Sequence, residues 1–202
     1  MHIEVLKDWR KSERARLIAA RVALNASQML RLRVVIDAHL ERAFPLISKG
    51  SIAFCWPYRN EYDARHFVHR VRARGARTLL PAVIGSKQPL IFRYWKPGDV
   101  LAKGVYDIPY PPNGEAIVPD VALVPMNGFD AGGYRLGYGG GFFDRTLASL
   151  RADGLTRPLA IGVTYELARM ETIHPQPYDI PMDYVVTERG VYERRAGGLV
   201  LL

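Results

Sequence analysis

Short apolar segments recur along the chain and alternate with segments of helical period, and this alternation limits the folds open to it. The apolar segments cover residues 52–56, 78–83, 90–95, 121–125, 159–164 and, as the last expected strand, 184–187. Continuously apolar runs such as 121–125 and 159–164 are typical of strands buried on both faces of a parallel sheet. The sequence therefore predicts an α/β fold of three layers, α/β/α, around a largely parallel or mixed central sheet.

Apolar residues recur with helical spacing in three other parts of the chain. Residues 3–45 are expected to form two amphipathic helices, with Ser27 as the N-cap of the second. A third helix is expected over 63–74 and ends at Gly75, and a fourth covers 142–151.

Length and composition favour one globular domain over residues 1–202. The chain has 202 residues, 49% of them hydrophobic, and a chain of this size buries roughly 70% of its unfolded surface on folding. Cys55 is the single cysteine, which excludes an intrachain disulfide, and its apolar neighbours predict a buried, unreactive thiol. No window approaches the ~20 apolar residues of a membrane span, and the charged N-terminus does not resemble a secretory signal. A cytoplasmic protein is expected.

The net charge points to an anionic partner. It is +8, from 28 Lys and Arg against 20 Asp and Glu. Nucleic acid, a nucleotide and a polyanionic small molecule are all consistent with it.

Residues 96–119 are rich in Pro and Gly and carry neither a helical nor a strand period. A loop of this length inside a domain is uncommon and often functional. It is expected to be either a wall or lid of an active site or a linker between two lobes.

The most informative stretch is residues 135–145, RLGYGGGFFDR, between an expected strand and a helix. Its glycines allow backbone N–H groups to approach a ligand, and the N-terminus of the following helix favours an anion. Neither the GxxxxGK[ST] nor the GxGxxG pattern is present. The stretch is expected to cradle phosphate, the alternative being a tight turn without a ligand.

Two charged residues bracket these glycines. Arg135 can form a bidentate fork to phosphate oxygens, and Asp144 can hold a magnesium ion that also contacts the phosphates. The alternatives are a salt bridge for Arg135 and a contact with the helix dipole for Asp144.

The stretch 135–145 resembles the RLGxGxGYYDR signature of the 5-formyltetrahydrofolate cyclo-ligase family. As in that family, an apolar strand ending in Val-Pro and a Phe-Asp pair precede it, and the segment 179–188, DIPMDYVVTE, is similar to the family's closing D-x-x-x-D-x-hydrophobic-T-E segment. The chain departs from the pattern at Phe142-Phe143, where a Tyr pair is usual, and at Tyr110-Pro111, where Glu-Pro is frequent.

The resemblance implies an enzyme with a NagB/RpiA/CoA-transferase-like fold that uses ATP and Mg²⁺. The reaction it implies is phosphorylation of the formyl oxygen of 5-formyltetrahydrofolate, attack by N10, and release of phosphate to give 5,10-methenyltetrahydrofolate. It further implies a monomer whose substrate is mono- or polyglutamylated, with no nucleic-acid or membrane partner.

The resemblance also implies roles for particular residues. Arg135 and Asp144 are the catalytic residues, and Asp144 and Asp179 are the metal ligands. The ATP-binding residues are Arg10, Arg14, Arg135, Leu136, Gly137, Tyr138, Gly139, Gly140, Gly141, Phe142 and Phe143. The folate-binding residues are Trp56, Glu61, Tyr138, Gly139, Gly140, Gly141 and Phe142.

Several of these residues have plainer interpretations when the residues are taken alone. Arg10 and Arg14 lie four apart on one helix face, which can also be a solvated basic face, and Lys7 or Lys11 can take the place of either in the family's register. Trp56 can stack on a pterin ring and Glu61 can accept its N–H groups. The alternatives are a core aromatic residue and a solvated acid.

The densest basic region is formed by Arg59, Arg65, His66, His69, Arg70, Arg72, Arg74 and Arg77. A solvated helix face is expected there, with a glutamate-tail site or a nucleic-acid footprint as alternatives. The second hypothesis for the whole chain is thus a basic nucleotide- or RNA-binding module that has the glycine-rich loop without folate chemistry.

Overall fold

The computed structural model describes residues 3–152 and 158–202. The helices are α1 (Ile3–Val22), α2 (Ala26–Ala43), α3 (Arg65–Ala73) and α4 (Phe142–Ala152). The strands are β1 (Ser51–Ala53), β2 (Arg77–Val83), β3 (Leu90–Tyr94), β4 (Ala102–Lys103), β5 (Pro109–Tyr110), β6 (Val121–Pro125), β7 (Gly128–Phe129), β8 (Arg135–Leu136), β9 (Leu159–Val163), β10 (Tyr184–Thr187), β11 (Gly190–Arg195) and β12 (Gly198–Leu201).

One eight-stranded sheet organises the molecule, in the order β12-β11-β10-β9-β6-β1-β2-β3. The strands from β2 to β10 in this order are parallel to one another. An antiparallel β3 borders β2, and the antiparallel β11 and β12 border β10. The predicted mixed, mostly parallel sheet is confirmed.

Neighbouring residues along each strand pack on opposite faces of the sheet, as the period of two in a strand requires. Ile52 and Leu80 pack in one cluster with Phe67 of α3. Ala53 packs in a second cluster with Leu147 of α4. Helix α2 lies on the same face as α3, against β10 and β11. The predicted three layers are confirmed.

Two expectations about the ends of elements are wrong. The N-cap of α2 is Asn25 instead of Ser27, because the Asn25 side chain accepts from the Gln28 N–H while the Gln28 side chain accepts from the Asn25 N–H. This reciprocal pair, a capping box, satisfies the backbone N–H groups of Asn25 and Gln28. The first strand ends at Ala53 instead of residue 56, so Cys55 and Trp56 leave the sheet.

The segment 184–187 is not the last strand. A tight turn after it, with Gly190 at φ 158°, leads into β11 and β12, which form the far edge of the sheet. The sequence of β11, GVYERR, is too polar for the pattern of a doubly buried strand. The two-stranded pairs β4–β5 and β7–β8 were also not expected, because strands of two residues carry no period.

Among the described residues, no helix combines the length and the apolar character that crossing a membrane would require.

Candidate active site

The order of strands reverses between β1 and β6, since β2 lies on one side of β1 while β6 and β9 lie on the other. In open α/β sheets, ligands bind in the crevice beyond the carboxyl ends of the strands at this switch point. A cleft of about 1360 Å³ lies there and is lined in part by Cys55, just after β1, and by Pro125, at the end of β6. The topology thus places a ligand site where the glycine-rich stretch lies.

Every residue that the sequence analysis assigned to the site lines this cleft. The lining includes Arg10, Arg14, Trp56, Glu61, Arg135, Leu136, Gly137, Tyr138, Gly139, Gly140, Gly141, Phe142, Phe143, Asp144 and Asp179. They come from α1, from the segment after β1, from the stretch between β8 and α4, and from the loop before β10. The fold therefore brings together residues up to 169 positions apart, such as Arg10 and Asp179.

Residues 137–141, called the glycine loop from here on, connect β8 to α4. Gly139 and Gly141 have φ values of 94° and 63°, a region that L side chains rarely adopt. A Cβ on Gly141 would lie 2.8 Å from Nη1 of Arg145. Backbone conformation therefore favours glycine at both positions, and a side chain at residue 141 would also have to displace the end of Arg145.

Helix α1 contacts the glycine loop through Arg14. The Nε of Arg14 donates to the carbonyl oxygen of Gly137 at 2.6 Å. On the other side, Nη2 of Arg145 donates to the Gly140 carbonyl at 2.6 Å, and its guanidinium lies 5.2 Å from the centre of the Phe142 ring. Two arginines thus hold carbonyl groups of the loop, which lines the cleft and leads into the N-terminus of α4.

Arg135 and Asp144 form an ion pair of 3.0 Å at the floor of the cleft. Arg135 also donates to the Ile180 carbonyl at 3.0 Å, and the Ile180 N–H donates to Asp144 at 3.0 Å. Burial lowers the pKa of Arg135, while Asp144 opposes that change. The salt bridge considered for Arg135 is therefore present, and it also positions both groups in the cleft.

Arg10 binds the loop before β10 with all of its nitrogens. Its guanidinium donates to the carbonyls of Ile173 (3.1 Å) and His174 (2.9 Å) and to both carboxylate oxygens of Asp179 (2.6 and 3.4 Å). The Asp179 carboxylate also accepts from the Gln176 N–H at 2.7 Å. Arg10 is therefore a structural tie between α1 and this loop as well as a residue of the cleft.

Asp144 and Asp179 line the cleft, and their carboxylates are of the kind that Mg²⁺ binds. Within residues 3–152 and 158–202, no three His, Cys, Asp or Glu side chains cluster as a metal site. Mg²⁺ bound to phosphates needs only one or two carboxylates from the protein. Asp144 fits this need, because within the described residues its Oδ2 pairs with Arg135 and its Oδ1 accepts from the Ile180 N–H, and its side chain is 21% exposed, whereas both oxygens of Asp179 accept from Arg10.

Glu61 is buried, with 8% of its surface exposed, and so is not the solvated acid of the plainer interpretation. Its Oε1 accepts from the Tyr138 hydroxyl at 3.0 Å, and its Oε2 accepts from the Tyr58 N–H at 3.0 Å. Arg21 lies 3.9 Å from Oε1. Burial raises the pKa of Glu61, and Arg21, the Tyr58 N–H and the Tyr138 hydroxyl act against that rise.

Arg21 is the site-forming residue that the sequence analysis missed. It is 3% exposed, donates to the Tyr138 hydroxyl at 3.0 Å and donates through Nε to the Arg59 carbonyl at 2.8 Å. The available signal was its position four residues after the apolar Leu17 and seven after Arg14, on the inward face of α1. The basic residues around α1 obscured it.

Trp56 is half-buried and lines the cleft. Its ring meets Trp95 edge to face, with centroids 5.8 Å apart, and the Arg65 guanidinium lies 5.0 Å from its centre. Trp56 is thus both a neighbour of the core and an aromatic surface of the cleft. Cys55 beside it is half-buried, where a buried residue was expected. Desolvation and the charge of Glu61 raise the pKa of its thiol.

The long loop 96–119 forms a wall of the cleft, to which it contributes Gly104, Val105, Ile108 and Tyr110. Arg93 of β3 fastens it by donating to the carbonyls of Pro111 (3.0 Å) and Pro112 (2.7 Å).

Three arginines of the basic region around α3 pair with carboxylates of the protein. Arg65 pairs with Asp63 (2.7 Å), Arg70 with Asp37 (3.0 Å) and Glu41 (2.6 Å), and Arg74 with Glu41 (3.7 Å). The expected solvated helix face agrees with these pairs, and an arginine already held by a carboxylate is a weaker partner for nucleic acid.

Comparison with known proteins yields one family. A model described as the 5-formyltetrahydrofolate cyclo-ligase family matches residues 6–188. The chain is 29% identical over 155 residues to a 5-formyltetrahydrofolate cyclo-ligase of Escherichia coli K12, which covers 74% of this chain and 84% of that protein. It resembles the NMR structure of Aquifex aeolicus 5,10-methenyltetrahydrofolate synthetase with a TM-score of 0.76 at 27% identity, over 96% of both chains. A Mycoplasma pneumoniae 5,10-methenyltetrahydrofolate synthetase shares the fold, with a TM-score of 0.70 at 23% identity over 89% of this chain and 98% of that one.

Proposed function

The chain belongs to the 5-formyltetrahydrofolate cyclo-ligase family, and on that premise we propose that this ligase uses ATP and Mg²⁺ to convert 5-formyltetrahydrofolate to 5,10-methenyltetrahydrofolate. The observation that carries the proposal is one shared cleft at the switch point of the sheet. It is lined both by the residues suited to phosphate and by those suited to a pterin.

The proposed reaction has two steps. The formyl oxygen attacks the γ-phosphorus of ATP, a new O–P bond forms, and ADP leaves. N10 of the folate then attacks the formyl carbon, loses its proton, and the C–O bond to phosphate breaks. Such chemistry depends on positioning and on neutralising phosphate charge more than on a protein nucleophile.

Phosphate binding is assigned to the glycine loop and the cations around it. The N–H groups at the start of α4 are donors without partners inside the helix, and Arg14 holds the loop in place through the Gly137 carbonyl. Lys7 and Lys11 line the outer cleft, are exposed, and make no ion pair within the described residues. They are suited to the outermost phosphate or to another anionic part of the ligands.

Arg135 and Asp144 are assigned to the transferred phosphoryl group, because they form an ion pair within the cleft. Asp144 would hold a Mg²⁺ ion, which bound to phosphate oxygens supplies charge neutralisation. Arg135 is kept in place by the Ile180 carbonyl and by Asp144, so its guanidinium needs no reorganisation when charge develops nearby. Asp179 would serve mainly to hold Arg10 and with it α1.

The pterin is assigned to Glu61 and Trp56. An ionised carboxylate accepts N–H groups from the pterin, and the flat indole offers a stacking surface. Phe142 and Phe143 stand where Tyr is usual, so contacts from phenolic hydroxyl groups at these two positions play no part here.

The test is to follow near-ultraviolet absorbance while the purified protein is mixed with 5-formyltetrahydrofolate, ATP and Mg²⁺, since substrate and product differ in conjugation. The proposal predicts an increase only when all three are present. Asp144→Ala should abolish it, with circular dichroism unchanged. No increase in the complete mixture, despite measurable ATP binding, would contradict the proposal and favour a nucleotide-binding module.

A further inference from the structure

Tyr138 belongs to the glycine loop, yet its hydroxyl group lies in the cluster around Glu61. The signature does not specify this position, the x in RLGxG, and a tyrosine occupies it in this chain. Its side chain joins the backbone assigned to phosphate to the carboxylate assigned to the pterin.

The hydroxyl group is fully engaged. It donates to Oε1 of Glu61 at 3.0 Å and accepts from Nη2 of Arg21 at 3.0 Å. Burial and the Glu61 charge raise the pKa of Tyr138, so the hydroxyl keeps its proton and remains the donor. Its ring lies 5.7 Å from that of Tyr58, whose N–H holds the other oxygen of Glu61.

The Glu61 carboxylate retains acceptor capacity for a ligand. An ionised carboxylate has about four lone-pair sites, and the hydrogen bonds of 3.0 Å from the Tyr138 hydroxyl and the Tyr58 N–H use one on each oxygen. The direction of the remaining acceptor sites depends on the rotamer that Tyr138 helps to fix.

The glycine loop has two attachments to α1, one backbone and one side-chain. Arg14 holds the Gly137 carbonyl, and Arg21, two helical turns later, holds the Tyr138 hydroxyl. The Gly137 carbonyl and the Tyr138 hydroxyl belong to adjacent residues. The loop therefore cannot close on a phosphate without moving Tyr138. Any change in the loop therefore acts on the Tyr138–Glu61 hydrogen bond.

We propose that Tyr138 is a positioning residue that couples the two halves of the cleft, so that nucleotide at the glycine loop strengthens folate binding at Glu61. The inference rests on the proposed function. Coupling between two sites is reciprocal, so folate strengthens nucleotide binding by the same factor. Nucleotide fixes the loop, the fixed loop holds the Tyr138 hydroxyl, and the hydroxyl holds Glu61 in the rotamer that meets the pterin.

The test is calorimetric titration of 5-formyltetrahydrofolate into the protein, with and without saturating Mg²⁺ and a non-hydrolysable ATP analogue. In the unmodified protein, the analogue is expected to tighten folate binding by roughly tenfold, within the usual range of coupling between sites. In Tyr138→Phe, which keeps the ring and removes the hydroxyl, this factor should fall to about one. Tyr94→Phe removes a hydroxyl on β3, outside the lining of the cleft, and should keep the full factor.

Each other outcome overturns the inference. If Tyr138→Phe weakens both ligands equally but keeps the factor, Tyr138 only supports the structure. If the unmodified protein binds both ligands without mutual effect, the coupling is absent while the proposed function stands. If it binds neither ligand, the proposed function fails, and the inference fails with it.

Discussion

Two buried carboxylates in this molecule are each held by arginine and by a tyrosine hydroxyl, but only one of them lines the cleft. Asp37 of α2 accepts from the Tyr62 hydroxyl at 2.6 Å and pairs with Arg33 at 2.8 Å and Arg70 at 3.0 Å. It is 4% exposed and joins α2 to the α3 region. Its short, numerous contacts are those of a group that serves the fold.

Glu61 uses the same chemical groups more loosely. Its tyrosine contact is 3.0 Å, its arginine lies 3.9 Å away, and its remaining hydrogen bond comes from a backbone N–H. Burial raises its pKa in spite of these partners. Within the described residues each Glu61 oxygen accepts one hydrogen bond, so each has room for a further N–H donor from a ligand.

The two clusters therefore differ in how fully the protein's own hydrogen bonds and ion pairs satisfy the carboxylate. A saturated cluster stabilises the fold, and an unsaturated cluster of the same composition can recognise a ligand. Substitutions in the two clusters should accordingly separate stability from activity.

The largest effect is expected for Glu61→Gln. Its amide presents an N–H group where an acceptor is needed, and the loss of two or more hydrogen bonds to a charged group should lower kcat/KM for 5-formyltetrahydrofolate by roughly 10³-fold. Steady-state rates at varied folate, with ATP saturating, measure this. A rate within threefold of the unmodified enzyme would remove Glu61 from folate recognition.

Asp37→Asn should lower stability and leave activity unchanged. Removing one charge from a buried pair leaves its partners uncompensated and should lower the free energy of unfolding by about 3 kcal/mol. Urea denaturation measures the loss. The folded fraction should keep the kcat and KM of the unmodified enzyme, and a changed KM for folate would show that the two clusters do not divide stability from activity.

Tyr62→Phe should cost about 1–2 kcal/mol of unfolding free energy, because it removes one short hydrogen bond to the buried Asp37. The matched control is Tyr94→Phe, whose tyrosine is 41% exposed and should lose almost nothing. Equal denaturation midpoints for the two variants would contradict the account of the Asp37 cluster.

The smallest effect concerns pH. Because burial raises the pKa of Glu61 in the folded state above its ordinary 4.5, the native protein binds this proton more tightly than the unfolded chain does. The contribution of Glu61 to stability is therefore present below about pH 4.5 and is lost as pH rises through its folded pKa. Glu61→Gln lacks this loss. The difference between its Tm and that of the unmodified protein should therefore increase in its favour as pH rises through this range. The measurement is the Tm of both proteins from pH 4 to 8. The same change of Tm with pH in both would contradict the prediction.

The parts predicted from the sequence are those encoded over short distances. The glycine loop with Arg135 and Asp144 lies within eleven residues, and the alternation of apolar and helical segments gave the central strands and the layers. Both depend on local conformation and on hydrophobic period.

The parts that were missed depend on contacts between distant segments. Arg21 meets Glu61 across 40 positions, and nothing local distinguishes it from the other basic residues of α1. The contacts of Arg10 with the loop before β10 were not predicted, because its partners, the carbonyls and carboxylate of residues 173–179, lie more than 160 positions away. The strand β11 was missed because a polar edge strand lacks the pattern of a buried one.

The most direct test of the central claim is a parallel absorbance assay of methenyl formation from 5-formyltetrahydrofolate, ATP and Mg²⁺ by the unmodified protein, Glu61→Gln and Asp37→Asn, at a temperature where all three are folded. The account predicts ATP-dependent product from the unmodified protein and from Asp37→Asn, and almost none from Glu61→Gln. Equal rates for the two variants would contradict it.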